Sequence, residues 1–152
     1  MGMLIDCFDN EYGWLSNFAE AKINYEGKIY PTVEHAFQAA KTLNENEREK
    51  IRVSPTPGKA KRLGRKVTLR NDWESVKVDV MLELITDKFK NPEFRQLLIN
   101  TVGSNLVEGN QWHDNFWGNC SCDKCQHKVG ENRLGNILMC VRDFNILQTD
   151  VY

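Results

Sequence analysis

The chain has 152 residues, enough for one domain whose core needs no disulfide or metal staple. Its 20 Lys and Arg stand against 21 Asp and Glu, mixed along the chain, which excludes a field strong enough to hold a long polyanion. No apolar run in residues 1–20 suits a signal peptide, no segment approaches the roughly 20 apolar residues of a membrane helix, and Asp6 breaks the myristoylation pattern after Gly2. A cytoplasmic protein with no membrane partner is therefore expected. Five cysteines, three of them clustered, then argue for free thiols or a metal rather than a disulfide framework.

The elements follow in order. In "AKINYEGKIY", Ile23, Tyr25 and Ile29 flank Glu26-Gly27, which predicts a hairpin of short strands. Pro31-Thr32 opens a helix in which Thr32 caps and Val33, Phe37 and Ala40 form an apolar stripe, running to about Leu43. A second helix is predicted over Pro57 to Gly64. Asn71 with Glu74 resembles a capping box before a long core helix, with Val76, Val80, Met81, Leu84 and Ile85 on its apolar face, reaching about Phe89. Asn91-Pro92 starts "NPEFRQLLINT", a helix closed by Gly103. "NLVEG" reads as a short strand, and Asn132 as the cap of a last helix carrying Leu134, Ile137, Leu138 and Val141. No linker or repeat interrupts this pattern, so the expected fold is α+β: one compact, predominantly helical domain over residues 1–152 with a few short strands.

Three places can carry chemistry. Glu34, Gln38 and Lys41 of "EHAFQAAK" recur at i, i+4 and i+7, so a carboxylate, an amide and an amine share one helix side at the edge of the apolar stripe. Desolvation there shifts proton affinities toward useful values, although a solvated face with a helix-supporting pair has the same spacing. Trp73, together with Asp114 and Trp117 of "WHDNFWG", offers indoles for a flat ring and a carboxylate for a sugar hydroxyl or a water; simple core filling is the alternative. Cys120, Cys122, Cys125 and His127 read C-x-C-x2-C-x-H, thiolate and imidazole ligands that can wrap zinc, with Cys7 or His113 able to complete or compete for the shell. Reduced thiols in a loop are the alternative. His35 reads as a hydrogen-bonded structural residue. The basic run "GKAKRLGRK", with Arg70 beyond it, reads as a solvated face that could reach phosphates if it borders a pocket.

Four stretches in this order, "WLSNFAEAKINYEGKIYPTVEHAFQAAK", "RNDWESVKVDVM", "LVEGNQWHDNFWG" and "NRLGNILMCVR", resemble the NADAR or YbiA-like N-glycosidases over Trp14 to Arg142. The resemblance implies a YbiA-like fold and an enzyme that breaks the bond between ribose C1′ and a nitrogen. The family's substrates are phosphorylated ribosylamino-pyrimidine intermediates of riboflavin synthesis and ADP-ribose attached to guanine. Matching positions make Glu34, Trp73, Asp114 and Trp117 the expected functional residues, with Lys41 as the other position carried over.

On that basis Glu34, Lys41 and Asp114 are the expected catalytic groups, and Asn17, Phe18, Gln38, Trp73, Trp117 and Gly118 the expected substrate contacts. No cofactor is expected to be required for catalysis. The cysteine cluster departs from simpler family members, whose link between the tryptophan loop and the last helix is shorter and free of cysteine, so a structural zinc rests on the residues alone. The expected partner is a small ribosyl or nucleotide substrate or an ADP-ribosylated nucleic acid; no protein partner is predictable. Two other classes share these features: a non-catalytic module that binds ADP-ribose or a nucleotide, and a zinc-dependent nucleic acid binder, against which the near-neutral charge speaks.

Overall fold

The computed structural model describes residues 2–149; Met1 and residues 150–152, the two ends of the expected domain span, lie outside the described residues. The chain divides into two compact units, Ser16–Lys88 and a second made of the first 15 residues together with everything from Phe89 onward. Six α-helices, two short 3-10 helices and six short strands are present among the described residues, so the α+β, mostly helical class is observed.

Ser16–Lys88 is built around a short buried helix. After β1 (Leu4–Ile5) of the other unit, β2 (Ile23–Tyr25) pairs antiparallel with β3 (Lys28–Tyr30) in this one. Glu26 and Gly27 at the turn both have positive φ, 49° and 85°, the backbone hand that a two-residue hairpin turn demands. Helix α1 (Val33–Ala40) starts where Thr32 Oγ1 accepts the His35 N–H at 3.0 Å. All eight of its residues are buried, and it packs against α2 (Glu45–Arg52), α3 (Pro57–Gly64) and α4 (Trp73–Lys88).

Sequence patterning does not predict α2, because "ENEREKIR" carries no apolar stripe; only Arg48 and Ile51 are buried. Its legible signal is the cap: Asn44 Oδ1 accepts the Glu47 N–H at 3.0 Å. Buried Arg48 donates to Thr42 O at 2.7 Å, pairs with Glu26 at 2.5 Å and lies 5.5 Å from the Tyr25 ring centroid, tying α2 to the hairpin. Helix α4 starts one residue later than an Asn71 cap would put it, since the Asp72 carbonyl accepts from Ser75 (2.9 Å) and Val76 (3.1 Å). Val80, Met81, Leu84 and Ile85 form its buried face as expected.

The strands of the other unit pair in parallel: β1 pairs with β4 (Asn105–Leu106), and β5 (Gly109–Asn110) with β6 (Asn119–Cys120). Helix α5 (Pro92–Ile99) is capped by Asn91, whose Oδ1 accepts from Glu93 and Phe94 at 2.9 and 3.1 Å; it ends at the C-cap Asn100, and Gly103 (φ 85°), expected to close it, lies beyond in the turn where the Ser104 N–H meets Thr101 O at 2.9 Å. Helix α6 (Arg133–Thr149) packs on α5 and β4. Its buried Arg142 donates through Nη1 to Thr101 O and Ser104 O at 3.0 and 2.9 Å, holding the α5–β4 turn. Asn132 precedes α6 as expected, but its side chain does not cap the helix. With φ 49°, it sends Nδ2 to Leu106 O (2.9 Å) and accepts the Glu108 N–H (3.0 Å), fastening the helix start to the strand link. Among the described residues no helix is long and apolar enough to cross a membrane.

Candidate functional site

In Ser16–Lys88 the helical spacing of Glu34, Gln38 and Lys41 becomes a polar seam on a buried helix. Glu34 is 7% exposed, and its Oε1 accepts from Gln38 Nε2 at 2.7 Å. Gln38 in turn fills space that Gly64 of α3 leaves open, because a Cβ on Gly64 would run into the Gln38 amide oxygen and carbonyl carbon. That oxygen, Gln38 Oε1, is buried with no hydrogen-bond partner. Asn17 adds a second such acceptor: its Oδ1 is buried and unpartnered, while its Nδ2 donates to Met81 Sδ at 3.6 Å and its carbonyl accepts the Glu34 N–H at 3.1 Å. Two unsatisfied acceptors on the residues around a buried carboxylate suit a ligand that brings hydroxyl or amide donors, because burying an acceptor without a partner is costly.

Lys41 ends this seam. Burial pushes its amine below the usual lysine range; the Glu34 charge opposes that shift, and Lys61, Arg65 and Lys77 reinforce it. A half-buried amine losing proton affinity beside a carboxylate is the electrostatic setting of a nucleophilic or proton-transferring lysine. The basic run of the sequence thus lies near enough to Lys41 to act on it, rather than forming only a distant solvated face.

The aromatic expectations fare differently. Trp73 is 5% exposed and packs on Phe37 of α1 with centroids 5.1 Å apart, so its indole backs the seam-bearing helix. Phe18 is 45% exposed. His35, buried, donates Nε2–H to Ser54 O at 3.0 Å and takes the Thr32 hydroxyl on Nδ1 at 2.7 Å, the structural role its sequence context suggests.

In the other unit, residues 109–132 hold Asp114 and Trp117 on a loop between β5 and β6. Buried Asn110 organises it: Oδ1 accepts from Trp112 (3.2 Å) and Asp114 (3.1 Å), and Nδ2 donates to Asp114 O (2.8 Å). Asp114 Oδ1 accepts the N–H groups of Phe116 and Trp117 at 3.1 and 2.9 Å, so this carboxylate also closes a turn. Trp117 is partly exposed and sits edge-on to Phe116 at 4.8 Å. Gly118 is buried, and a Cβ there would strike the Glu108 carbonyl, so close backbone approach requires a glycine at this position.

The cysteine expectation is corrected in one ligand. Cys120, Cys122 and Cys125 do converge, but with His113 in place of His127; the four ligand atoms lie within 4.8 Å of one another. His127 stands exposed in the tight turn closed by Lys128 N–H to Cys125 O at 2.9 Å, only two residues beyond Cys125. The parallel register Asn110↔Cys120 instead brings His113 beside the thiols, a pairing that no local spacing rule shows. These four residues could hold a metal ion.

The NADAR domain family profile matches residues 6–144. The N-glycosidase YbiA of Escherichia coli is 43% identical over 137 residues, covering 88% of this chain and 82% of that protein. The N-glycosidase Npun_R5314 of Nostoc punctiforme is 38% identical over 138 residues, covering 87% and 85%. A chloroplastic riboflavin biosynthesis protein PYRR of Zea mays is 36% identical over an alignment of 149 residues that covers 86% of this chain but 23% of that protein. The NMR structure of Escherichia coli YbiA matches with a TM-score of 0.85 at 39% identity, covering 100% of this chain and 90% of that one. By the span of the family profile and the identity to these relatives, the chain belongs to the NADAR domain family.

Proposed function

We propose that this protein is a hydrolase that cleaves the ribose C1′–N bond of a ribosylated base, either ADP-ribosylated guanine or a ribosylamino-pyrimidine phosphate of riboflavin synthesis. The observation that carries this reading is the buried Glu34–Gln38 pair on the same helix as an amine of lowered proton affinity, in a chain whose relatives bear N-glycosidase names. A binding module would need acceptors and aromatics for its ligand, but it has no use for a desolvated lysine coupled to a carboxylate.

The cleavage makes three demands: charge stabilisation as C1′ becomes oxocarbenium-like, a nucleophile at C1′, and a proton for the departing base. Glu34 is assigned the ribose, with its carboxylate opposing the developing positive charge and Gln38 and Asn17 accepting from sugar hydroxyls. Two routes supply the nucleophile. In the first, water adds to C1′ as the C1′–N bond breaks, keeping one hydrogen as the new C1′ hydroxyl and giving its other proton to a carboxylate, which passes it to the departing base. In the second, neutral Lys41 Nζ bonds to C1′ as the base leaves, the ring oxygen takes a proton as the sugar opens to an imine, and water then splits the imine to regenerate the amine. The charge of Lys61 and Arg65 near Lys41 favours a substrate that carries phosphate. Asp114 and Trp117 are assigned to the ribose and the base, respectively, on the strength of the resemblance. No cofactor enters either route, and the cysteine loop is read as a structural zinc site.

Incubation with an ADP-ribosylated guanine oligonucleotide and, separately, with the flavin precursor should release free base from one of them, followed by chromatography. Saturable calorimetric binding of both with no released base would establish a binding module instead. Borohydride added during turnover should attach the sugar to Lys41, located by peptide mass spectrometry. Absence of the adduct, together with an active Lys41→Arg variant, would leave the water route.

A further inference from the structure

We propose that His113, Cys120, Cys122 and Cys125 bind one zinc ion that clamps the 109–125 loop. The ligand geometry is the first reason. His113 Nδ1 lies 3.3 Å from Cys122 Sγ and 3.4 Å from Cys125 Sγ. A ring nitrogen has one lone pair or one hydrogen, so it cannot serve two thiols as hydrogen bonds at once. Tetrahedral zinc, with bonds of about 2.3 Å to sulfur and about 2.0–2.1 Å to nitrogen, sets a nitrogen-to-sulfur edge of about 3.6 Å, close to both separations.

The second reason is the arrangement of donors around the sulfurs. The backbone N–H groups of His113 and Cys122 point at Cys120 Sγ from 3.3 and 3.5 Å, and Asn115 Nδ2 points at Cys125 Sγ from 3.5 Å. Three thiolates with one Zn²⁺ carry a net negative charge, and N–H groups directed at sulfur offset it. Neutral thiols would gain little from such donors. The third reason is backbone strain: His113 sits at φ 70°, a left-handed conformation rare for a residue with a Cβ, and that turn is what points its ring at the thiols.

The shell is closed, with four protein ligands and none left for water or substrate, which marks a structural ion rather than a catalytic one. Binding displaces the thiol protons, so that three thiolates and a neutral imidazole hold the metal. Its consequence is local. His113 precedes Asp114 directly, and Asn115 reaches from the same turn to Cys120 N–H (2.9 Å) and Cys125 Sγ, so an ion here fixes both neighbours of Asp114. The metal site stands independently of the N-glycosidase reading, since its test reads no activity.

The full chain, expressed with added zinc and purified without chelator or histidine tag, should carry about one zinc per molecule by plasma mass spectrometry. In that form only the exposed Cys7 and Cys140 should react quickly with a thiol reagent, and chelation under denaturing conditions should release all five thiols. Cobalt exchanged into the site should give the intense near-ultraviolet thiolate band and visible bands of a tetrahedral centre. Cys122→Ser and His113→Ala should lower bound zinc about tenfold or more, while His127→Ala keeps it. Zinc below about a tenth of an equivalent in the unsubstituted protein, with five reactive thiols and no cobalt band, would overturn the site. Loss of zinc in His127→Ala with retention in His113→Ala would overturn the ligand set.

Discussion

Helix α1 and the 109–125 loop both present a carboxylate flanked by polar partners, yet they position it by opposite means. Glu34 owes its place to helical periodicity: eight consecutive buried residues, one capping threonine, and a partner one turn along at Gln38. Asp114 owes its place to side chains that substitute for regular structure, with Asn110, Asn115 and the cysteine cluster each standing in for a ladder of backbone bonds. The helix carboxylate can therefore lose its charge without losing its scaffold. The loop carboxylate is part of its own scaffold, because its Oδ1 holds two backbone N–H groups.

The largest expected effects separate those cases. Glu34→Gln keeps volume and can still accept from Gln38, so it should fold normally while base release falls roughly 10²- to 10⁴-fold. Near-normal turnover would remove the carboxylate from the proposed chemistry. At Asp114 two substitutions are needed. Asp114→Asn retains an oxygen for Phe116 and Trp117 and removes the charge, and should reduce the rate on the same scale with an unchanged melting temperature. Asp114→Ala should in addition destabilise by about 1 kcal/mol through the lost turn bonds. Full activity in Asp114→Asn would make this residue a turn former only, and the likeness between the two regions would be one of appearance.

The contrast also explains what was legible in the sequence. Periodicity, caps and turn residues reveal α1, α3, α4, α5, α6 and the hairpin because each depends on neighbours within a few positions. Helix α2 escapes because its burial rests on Arg48 and Ile51 alone, with the cap Asn44–Glu47 as its one local mark. The burial of Trp73 follows from Phe37, 36 positions away, and the fourth metal-site residue from a parallel register, Asn110↔Cys120, that pairs segments across the loop. Local spacing points to His127 because it is near Cys125 in the chain; tertiary pairing selects His113.

Two glycines sharpen the comparison with smaller effects. In Gly118→Ala the new methyl meets the Glu108 carbonyl, a backbone atom that also accepts the Asn119 N–H at 2.9 Å, so the strand link must move. Overpacking of this kind should cost about 1–3 kcal/mol by denaturant unfolding. In Gly64→Ala the methyl meets the end of the Gln38 side chain, which can turn aside at the expense of its bond to Glu34. Gly64→Ala should therefore lose less stability than Gly118→Ala and more activity per unit of stability lost. The reverse order would show that the seam on α1 is more rigid than the loop.

The smallest expected effect is a pH dependence confined to Ser16–Lys88. Burial holds His35 below the ordinary imidazole pKa of 6.5, with the bond to Ser54 O opposing that shift only in part. At pH above 6.5 the ring is neutral whether the chain is folded or not, and it contributes no slope. As pH falls through 6.5 the unfolded chain takes up a proton that the folded chain refuses, so stability declines with falling pH until the folded ring also titrates. The slope cannot exceed about 1.4 kcal/mol per pH unit for one proton. Unfolding free energies of the native chain and of His35→Gln, measured from pH 7.5 downward, should differ by a gap that narrows as the pH drops, because only the native chain carries this linkage. Parallel curves would mean that the buried imidazole titrates alike in both states, and that the hydrogen bonds to Thr32 and Ser54 offset its burial in full.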